Sequence, residues 1–434
     1  MTLEVDAKVR AFLGNARAEY VPREDLSGSR YTLTKEGLYW EDSDTQGQHP
    51  SGWFVREPYM AGLLDLSGGL GYGADPWGSM CGVQVLPCRC IAEDGDGEKQ
   101  WEFGLFRGNP FGAFGKPLLR PVTQDWLYRD ELPNGTLLFA GQHAPNLARL
   151  TGLYEYRVVQ VDEHYDPSDM IWFRFDEIGA LIENEAVRTA ELLSLLCLVQ
   201  GGRYGIFTDG LWTPRLDRSE FARKLVELEA RGKPAVFRSG VSSRTTDWRV
   251  RRAGFAHKDG RFFTVKIVTC DMNGEALEFP GVFEEAVVYT EADCEKPVGE
   301  VQLPVRVVDG HVEVGLTAWN RPGNGGATVF IAPRASVSNV AQLPDQERSK
   351  IMLSKEFHTY VSALTGLVVG RVVIEPAYKN VTWFTLDELL LLAERREVCD
   401  ISTLWLIRWV QAHEGLVLCH DGPPLIQEDT AIIS

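Results

Sequence analysis

The sequence lacks the features that would assign it a chemistry at once. Its first residues, MTLEVDAKVRAFLG, carry Glu4 and Asp6 and hold no continuous apolar run of the kind that opens a secretory leader. The most apolar late stretch, residues 360–374, is shorter than a membrane span and is interrupted by Arg371. A cytoplasmic protein with no membrane contact is expected. There is no Gly-x-Ser-x-Gly nucleophile elbow and no His-Glu-x-x-His metal helix. The eight cysteines are irregularly spaced, and a chain of 434 residues can bury a core without disulfides, so reduced thiols are expected.

Two tempting clusters fail on geometry. Cys88-Arg89-Cys90, with Cys81 upstream, has neither the pair spacing nor the second pair of a structural zinc site. Cys419-His420-Asp421 places neighbouring side chains on opposite faces if extended. No metal is assigned. The glycine-rich runs at 68–73 and 104–115 fail as phosphate loops. The lysine of Gly115-Lys116 is followed by Pro117, which supplies neither an N–H donor nor a hydroxyl, and Gly73 is followed by Ala74-Asp75-Pro76 instead of a helix start. Nothing in the sequence names a cofactor.

What is present is an ordinary globular composition, 44% hydrophobic and 24% charged, with a formal charge of −17. The acidity favours solubility and disfavours phosphate-backbone partners overall. It is uneven. Residues 231–266 are strongly basic and hold Arg249, Arg251 and Arg252 beside Trp248, whereas residues 275–300 are strongly acidic. Pairing across one sheet explains this best, a protein interface next, and nucleic acid bound through residues 231–266 after that.

The patterning predicts an α+β fold of several units. Residues 1–180 read as a glycine- and aromatic-rich mixed domain. Residues 181–340 read as a helix pair followed by a β-rich unit, and 341–434 as a helical carboxy-terminal region. A central, nearly all-apolar helix is predicted over 184–200, closed by Gly201-Gly202. A second helix over 218–231 has Asp217 as its cap. Asn134-Gly135, Asp259-Gly260 and Asp309-Gly310 predict tight hairpins, since these residues tolerate positive φ. The strands of 235–335 show no repeat that can be phased. After Pro344, Met352, Phe357, Val361 and Leu364 predict a helix. Thr385-Leu386-Asp387-Glu388 is a capping box, and 400–413 predicts a further helix.

No catalytic set can be assigned. His164, in the carboxylate-rich turn Asp162-Glu163-His164-Tyr165-Asp166, and His143, just past a strand, are the acid–base candidates. The expected function is interaction or assembly through protein–protein contacts, self-association included, with Arg249, Arg251, Arg252 and Trp248 as the contact residues. The alternative is a hydrolase or transferase with a site between the first two units.

Overall fold

The structure is a computed structural model. It describes residues 2–14, 31–34, 37–40, 80–93, 99–108, 117–124, 130–144, 153–207, 214–231, 249–258, 262–270, 286–287, 297, 299–320, 328–336, 338–358, 367–374 and 378–420.

The chain opens with helix α1 (Thr2–Leu13) and a small antiparallel pair, β1 (Tyr31–Thr34) and β2 (Gly37–Trp40). A seven-stranded mixed sheet follows. It contains β3 (Met80–Glu93), β4 (Lys99–Gly108), β5 (Leu118–Arg120), β6 (Val122–Gln124), β7 (Thr136–His143), β8 (Leu153–Gln160) and β9 (Met170–Arg174). Its main order is β5-β4-β3-β8-β7, with β6 beside β3 and β9 beside β4, and β3 runs parallel to β8. Helices α2 (Ile178–Glu183) and α3 (Ala190–Gln200) complete this half.

The second half repeats the first. Helix α4 (Arg218–Arg231) takes the place of α1. Next come the three antiparallel strands β10 (Arg249–Lys258), β11 (Phe262–Cys270) and β12 (Ala286–Val287). The second seven-stranded sheet contains β13 (Gly299–Val308), β14 (His311–Asn320), β15 (Thr328–Ile331), β16 (Arg334–Ala335), β17 (Ile351–His358), β18 (Leu367–Ile374) and β19 (Thr382–Thr385). Its order is β15-β14-β13-β18-β17, with β16 beside β13, β19 beside β14, and β13 parallel to β18. Helices α5 (Leu386–Glu394) and α6 (Ile401–Ala412) close it.

The match extends to side chains. From Trp172 to Gln200 and from Trp383 to Gln411 the two halves align without a gap at a constant offset of 211 positions. Along it Trp172, Phe173, Asp176, Glu177, Val187 and Gln200 meet Trp383, Phe384, Asp387, Glu388, Val398 and Gln411. Arg89 pairs with Glu102 at 3.0 Å and lies 3.9 Å over the Trp172 ring, as Arg306 pairs with Glu313 at 2.6 Å and lies 4.3 Å over Trp383. Glu177 accepts from the Arg174 backbone N–H and from Lys8 of α1, and Glu388 accepts from the Thr385 N–H and from Lys224 of α4. Gly104 and Gly315 occupy the same crowded place, where an added Cβ would strike Met170 and Pro87 in one half and Val381 and Pro304 in the other. The chain carries two copies of one α+β unit in tandem.

Period-two burial builds each sheet. In the first, Leu86, Cys88, Phe103, Leu105, Val158 and Phe173 face the main core. Val85, Val122, Val159, Met170 and Trp172 form a smaller cluster on the other face. Helix α3 is buried all round and needs cover on every side. It finds it against its sheet and against α6, which is equally buried, and the two helices pack on each other.

Backbone bonds cross between the halves in reciprocal fashion. Ala144 N–H donates to Cys399 C=O at 2.7 Å, and His358 N–H donates to Arg188 C=O at 2.6 Å. The parallel bridges Ala144–Asp400 and Thr189–His358 flank them. Each half thus grips the cap of the other half's long helix, the pattern of an isologous dimer drawn within one chain.

Several predicted elements are present. The class is α+β with several units. Asp309 and Gly310 have φ of 49° and 74° and turn β13 into β14. Asp217 accepts from Ser219 and Glu220 N–H, Thr385 and Glu388 form their reciprocal box, and Asp400 caps α6. The strands flanking Asp259-Gly260 pair antiparallel. Two predicted elements need correction. Residues 351–358, with Met352 and Phe357, are strand β17, not helix, and Val361 and Leu364 of the predicted helix lie outside the described residues. Asn134-Gly135 is not a hairpin turn. The described residues directly before it, 130–133, form no strand, and Gly135 is required because a Cβ there would strike the Gln160 carbonyl. The ranges 1–180, 181–340 and 341–434 cut across the repeat, which joins α2 and α3 to the first sheet and places three strands after residue 350.

Arg371, which interrupts an apolar stretch, forms a fully buried ion pair with Glu300 at 2.9 Å, and the Ser338 hydroxyl and carbonyl accept from it as well. Replacing Arg371 by Met alone strands the Glu300 carboxylate and should cost about 3–5 kcal/mol. The double change Arg371→Met, Glu300→Leu should recover most of that loss. Urea denaturation of the three proteins checks both expectations.

Candidate functional site

Helices α3 and α6 meet at the centre of the molecule, and the two-fold relation creates two equivalent niches there. At each, the last residues of one outer strand and the middle of β8 or β18 face both helices. At an offset of 214 positions for the strands and 211 for the helices, His143, Tyr156, Ser194 and Arg408 correspond to Phe357, Gly370, Trp405 and Cys197.

The second niche is filled. Trp405 packs edge-on against Phe357 with ring centres 5.3 Å apart, and both are fully buried. Gly370 is required: an added Cβ would lie 2.7 Å from the Trp405 ring and 2.8 Å from that of Phe357. Burial pushes the Cys197 thiol up to about 12, so it packs as a neutral group.

The first niche is polar and open. Arg408 is 7% exposed; one guanidinium nitrogen donates to the Ser194 hydroxyl and another to the Tyr156 hydroxyl, with the guanidinium carbon 4.6 Å from the Tyr156 ring centre. No carboxylate among the described residues pairs with it. The Tyr156 hydroxyl lies against Gly141, where a Cβ would strike it. His143 stacks beside Tyr154 and Tyr156 at 5.9 and 5.5 Å and is 1% exposed. Burial first, and the Arg408 charge second, push its imidazole down to about 3. His143 is therefore a neutral ring at any physiological pH.

A cavity of about 420 Å³ opens onto this niche between the halves. Tyr156, Leu404, Ile407, Arg408 and Gln411 form a buried floor. Phe139 and Leu198 come from the first half and Leu389 from the second, and the exposed rim carries Glu394 and Arg396. Glu155 also lines the cavity, held by Arg157 at 2.6 Å.

Of the acid–base candidates, only His143 reaches the niche. His164 sits in an exposed turn held by a backbone bond from its own N–H to the Asp162 carboxylate, and its side chain is 85% exposed. The two histidines do not converge, and neither ring nitrogen of His143 has a hydrogen-bond partner among the described residues. Cys88 is buried and its thiol is pushed up, while Arg89 is engaged by Glu102, so no activated thiolate forms there. No group of three metal-ligating side chains occurs among the described residues. Arg249, Arg251 and Arg252 lie on β10, and Trp248 lies outside the described residues. No helix among the described residues is long and apolar enough to cross a membrane.

The sequence reading missed Tyr156, Ser194 and Arg408. Its usable signal was one charged residue inside a helix otherwise buried all round, at the position where the matching helix carries Cys197. Compared with known proteins, the sequence matches no family model, and no curated protein is significantly similar to it.

Because the His143 imidazole is depressed in the folded state, the unfolded chain binds the extra proton as pH falls below about 6.5. Stability is full above that pH and declines beneath it, by about 2 kcal/mol between pH 6.5 and 5 from this group alone. His413, also held below its ordinary value by burial, adds to the decline. His143→Phe, which installs the residue of the matching position, should flatten the profile. Denaturant midpoints at pH 7 and 5 measure it.

Proposed function

We propose that the protein is an interaction and assembly protein that works by binding, and that its specific binding chemistry resides in the open niche between its halves. One observation carries this reading. Of two equivalent niches, one is packed shut by Trp405 and the other is given a polar floor and a cavity. A volume of this size, apolar for the most part and with a few polar groups at its base, matches the sites that hold small organic molecules. A group poised for proton transfer would need a pKa near neutrality, and His143 is held far below that, which favours binding over hydrolysis or transfer.

The test transplants the closed niche into the open one: His143→Phe, Tyr156→Gly, Ser194→Trp and Arg408→Cys together. Ligand-observed NMR with a collection of small aromatic acids and neutral aromatics should find fragments that bind the natural protein and not the four-fold variant. Binding that survives the closure would place the site elsewhere.

The expected contact surface at Arg249, Arg251 and Arg252 belongs to the same proposal. Changing all three to Glu should lower the sedimentation coefficient of any self-associated species. Unchanged sedimentation across concentration would remove this strand from the assembly role.

A further inference from the structure

We infer that the open niche takes a monoanionic carboxylate with an apolar body, and that Arg408 and Tyr156 are the groups that recognise it. The inference rests on the niche being a ligand site and goes on to specify the ligand's chemistry.

The argument begins with charge. A guanidinium stays protonated and offers five N–H donors in a planar fork. At Arg408 two neutral hydroxyls, of Ser194 and Tyr156, each accept from it. The remaining donors and the whole positive charge have no anionic partner among the described residues, although the group is more than nine-tenths buried. A buried charge without a counter-ion is costly unless something supplies one. The two other buried arginine and lysine charges that face the core are each paired, Arg371 with Glu300 and Lys224 with Glu388. Arg408 differs from them in opening onto a cavity.

The cavity fixes the rest of the ligand. Arg408 is the one ionic group of its floor, whereas Glu394 and Arg396 stand in solvent at the rim, where their fields are screened. Glu155 is neutralised by Arg157. One buried positive charge balances one negative charge, which suits a carboxylate and would leave a phosphate dianion half uncompensated. A carboxylate also meets the guanidinium fork two-pronged. Tyr156, whose hydroxyl oxygen accepts from Arg408, keeps its own O–H to donate to the same anion. Phe139, Leu404 and Ile407 would then enclose an apolar body. In the other niche the position matching Arg408 is Cys197, a neutral buried thiol, and Trp405 packs against Phe357, so the specificity belongs to one niche.

Calorimetric titration of the full chain with benzoate and with benzamide, which share shape and differ in charge, tests this. Benzoate should bind about tenfold or more tightly than benzamide. Arg408→Gln should abolish that preference and leave benzamide unchanged, and Tyr156→Phe should weaken benzoate severalfold. Arg408→Cys provides a second loss-of-charge variant that the fold already accommodates at Cys197, and its melting curve checks that it folds. Equal binding of the two probes, or a benzoate affinity indifferent to both Arg408 variants, overturns the inference while the niche remains a ligand site. Tighter binding of inorganic phosphate than of benzoate overturns it in favour of a phosphate ligand. If neither benzoate nor any neutral fragment binds in the millimolar range, the inference and the ligand site fall together.

Discussion

The packing of α3 on α6 is the contact on which the rest of the molecule depends. Each helix is apolar on nearly every face, and neither sheet alone can cover it. Burying one requires the other, so neither half has a complete core by itself. The reciprocal bonds from Ala144 to Cys399 and from His358 to Arg188 then fix the rotation of each helix against the opposite sheet. Every feature of the central niches follows from that rotation: which of Ser194 and Cys197 faces which strand, and which of Trp405 and Arg408 meets Gly370 or Tyr156.

Around that contact, several buried charges are paired inside their own half, Glu177 with Lys8, Glu388 with Lys224 and Glu300 with Arg371, whereas Arg408 is not paired among the described residues. The Arg–Glu–Trp stack on the outer sheet face and the Lys–Glu clasp from the leading helix occur twice, in matching positions. Their recurrence follows from a common need: the wide flat ring of Trp172 or Trp383 wants a guanidinium cover, and the guanidinium wants a carboxylate. The pair Glu300–Arg371 is confined to the second half, where Val83 takes the place of Glu300 in the first. The halves therefore diverged in their interiors as well as at the niches.

Much of the fold was legible locally. Caps announced themselves because a side-chain oxygen and a backbone N–H three residues on are set by the chain itself, as at Asp217 and Thr385. Asp309-Gly310 was readable because positive φ admits few residues. Strand β17 reads as helix in the sequence because the helical spacing runs from Phe357 to Val361 and Leu364, both of which follow the strand's last residue, His358. The duplication left a signal that composition obscures. Trp-Phe followed by Asp-Glu recurs at a fixed offset, yet leucine-rich helices around it look alike by chance, and the intervening segments differ in charge. The niche could not be read along the chain, because Tyr156, Ser194 and Arg408 come from three elements separated by an interval that only the fold closes. His164 looked promising for the opposite reason: its carboxylate neighbours are near in sequence and remain in a solvent-exposed turn.

Joining the two halves in a single chain changes what mutation can do to the centre of the molecule. In a dimer of identical subunits every substitution appears at both niches, so an arginine that opens one opens the other, and two buried positive charges would face each other across a short axis. Encoding each half separately lifts that restriction. Position 408 can hold a charge while position 197 holds a thiol, and position 405 can carry an indole while position 194 carries a hydroxyl. The niche sealed by Trp405 can thus preserve the core, leaving its twin free to be tuned for recognition.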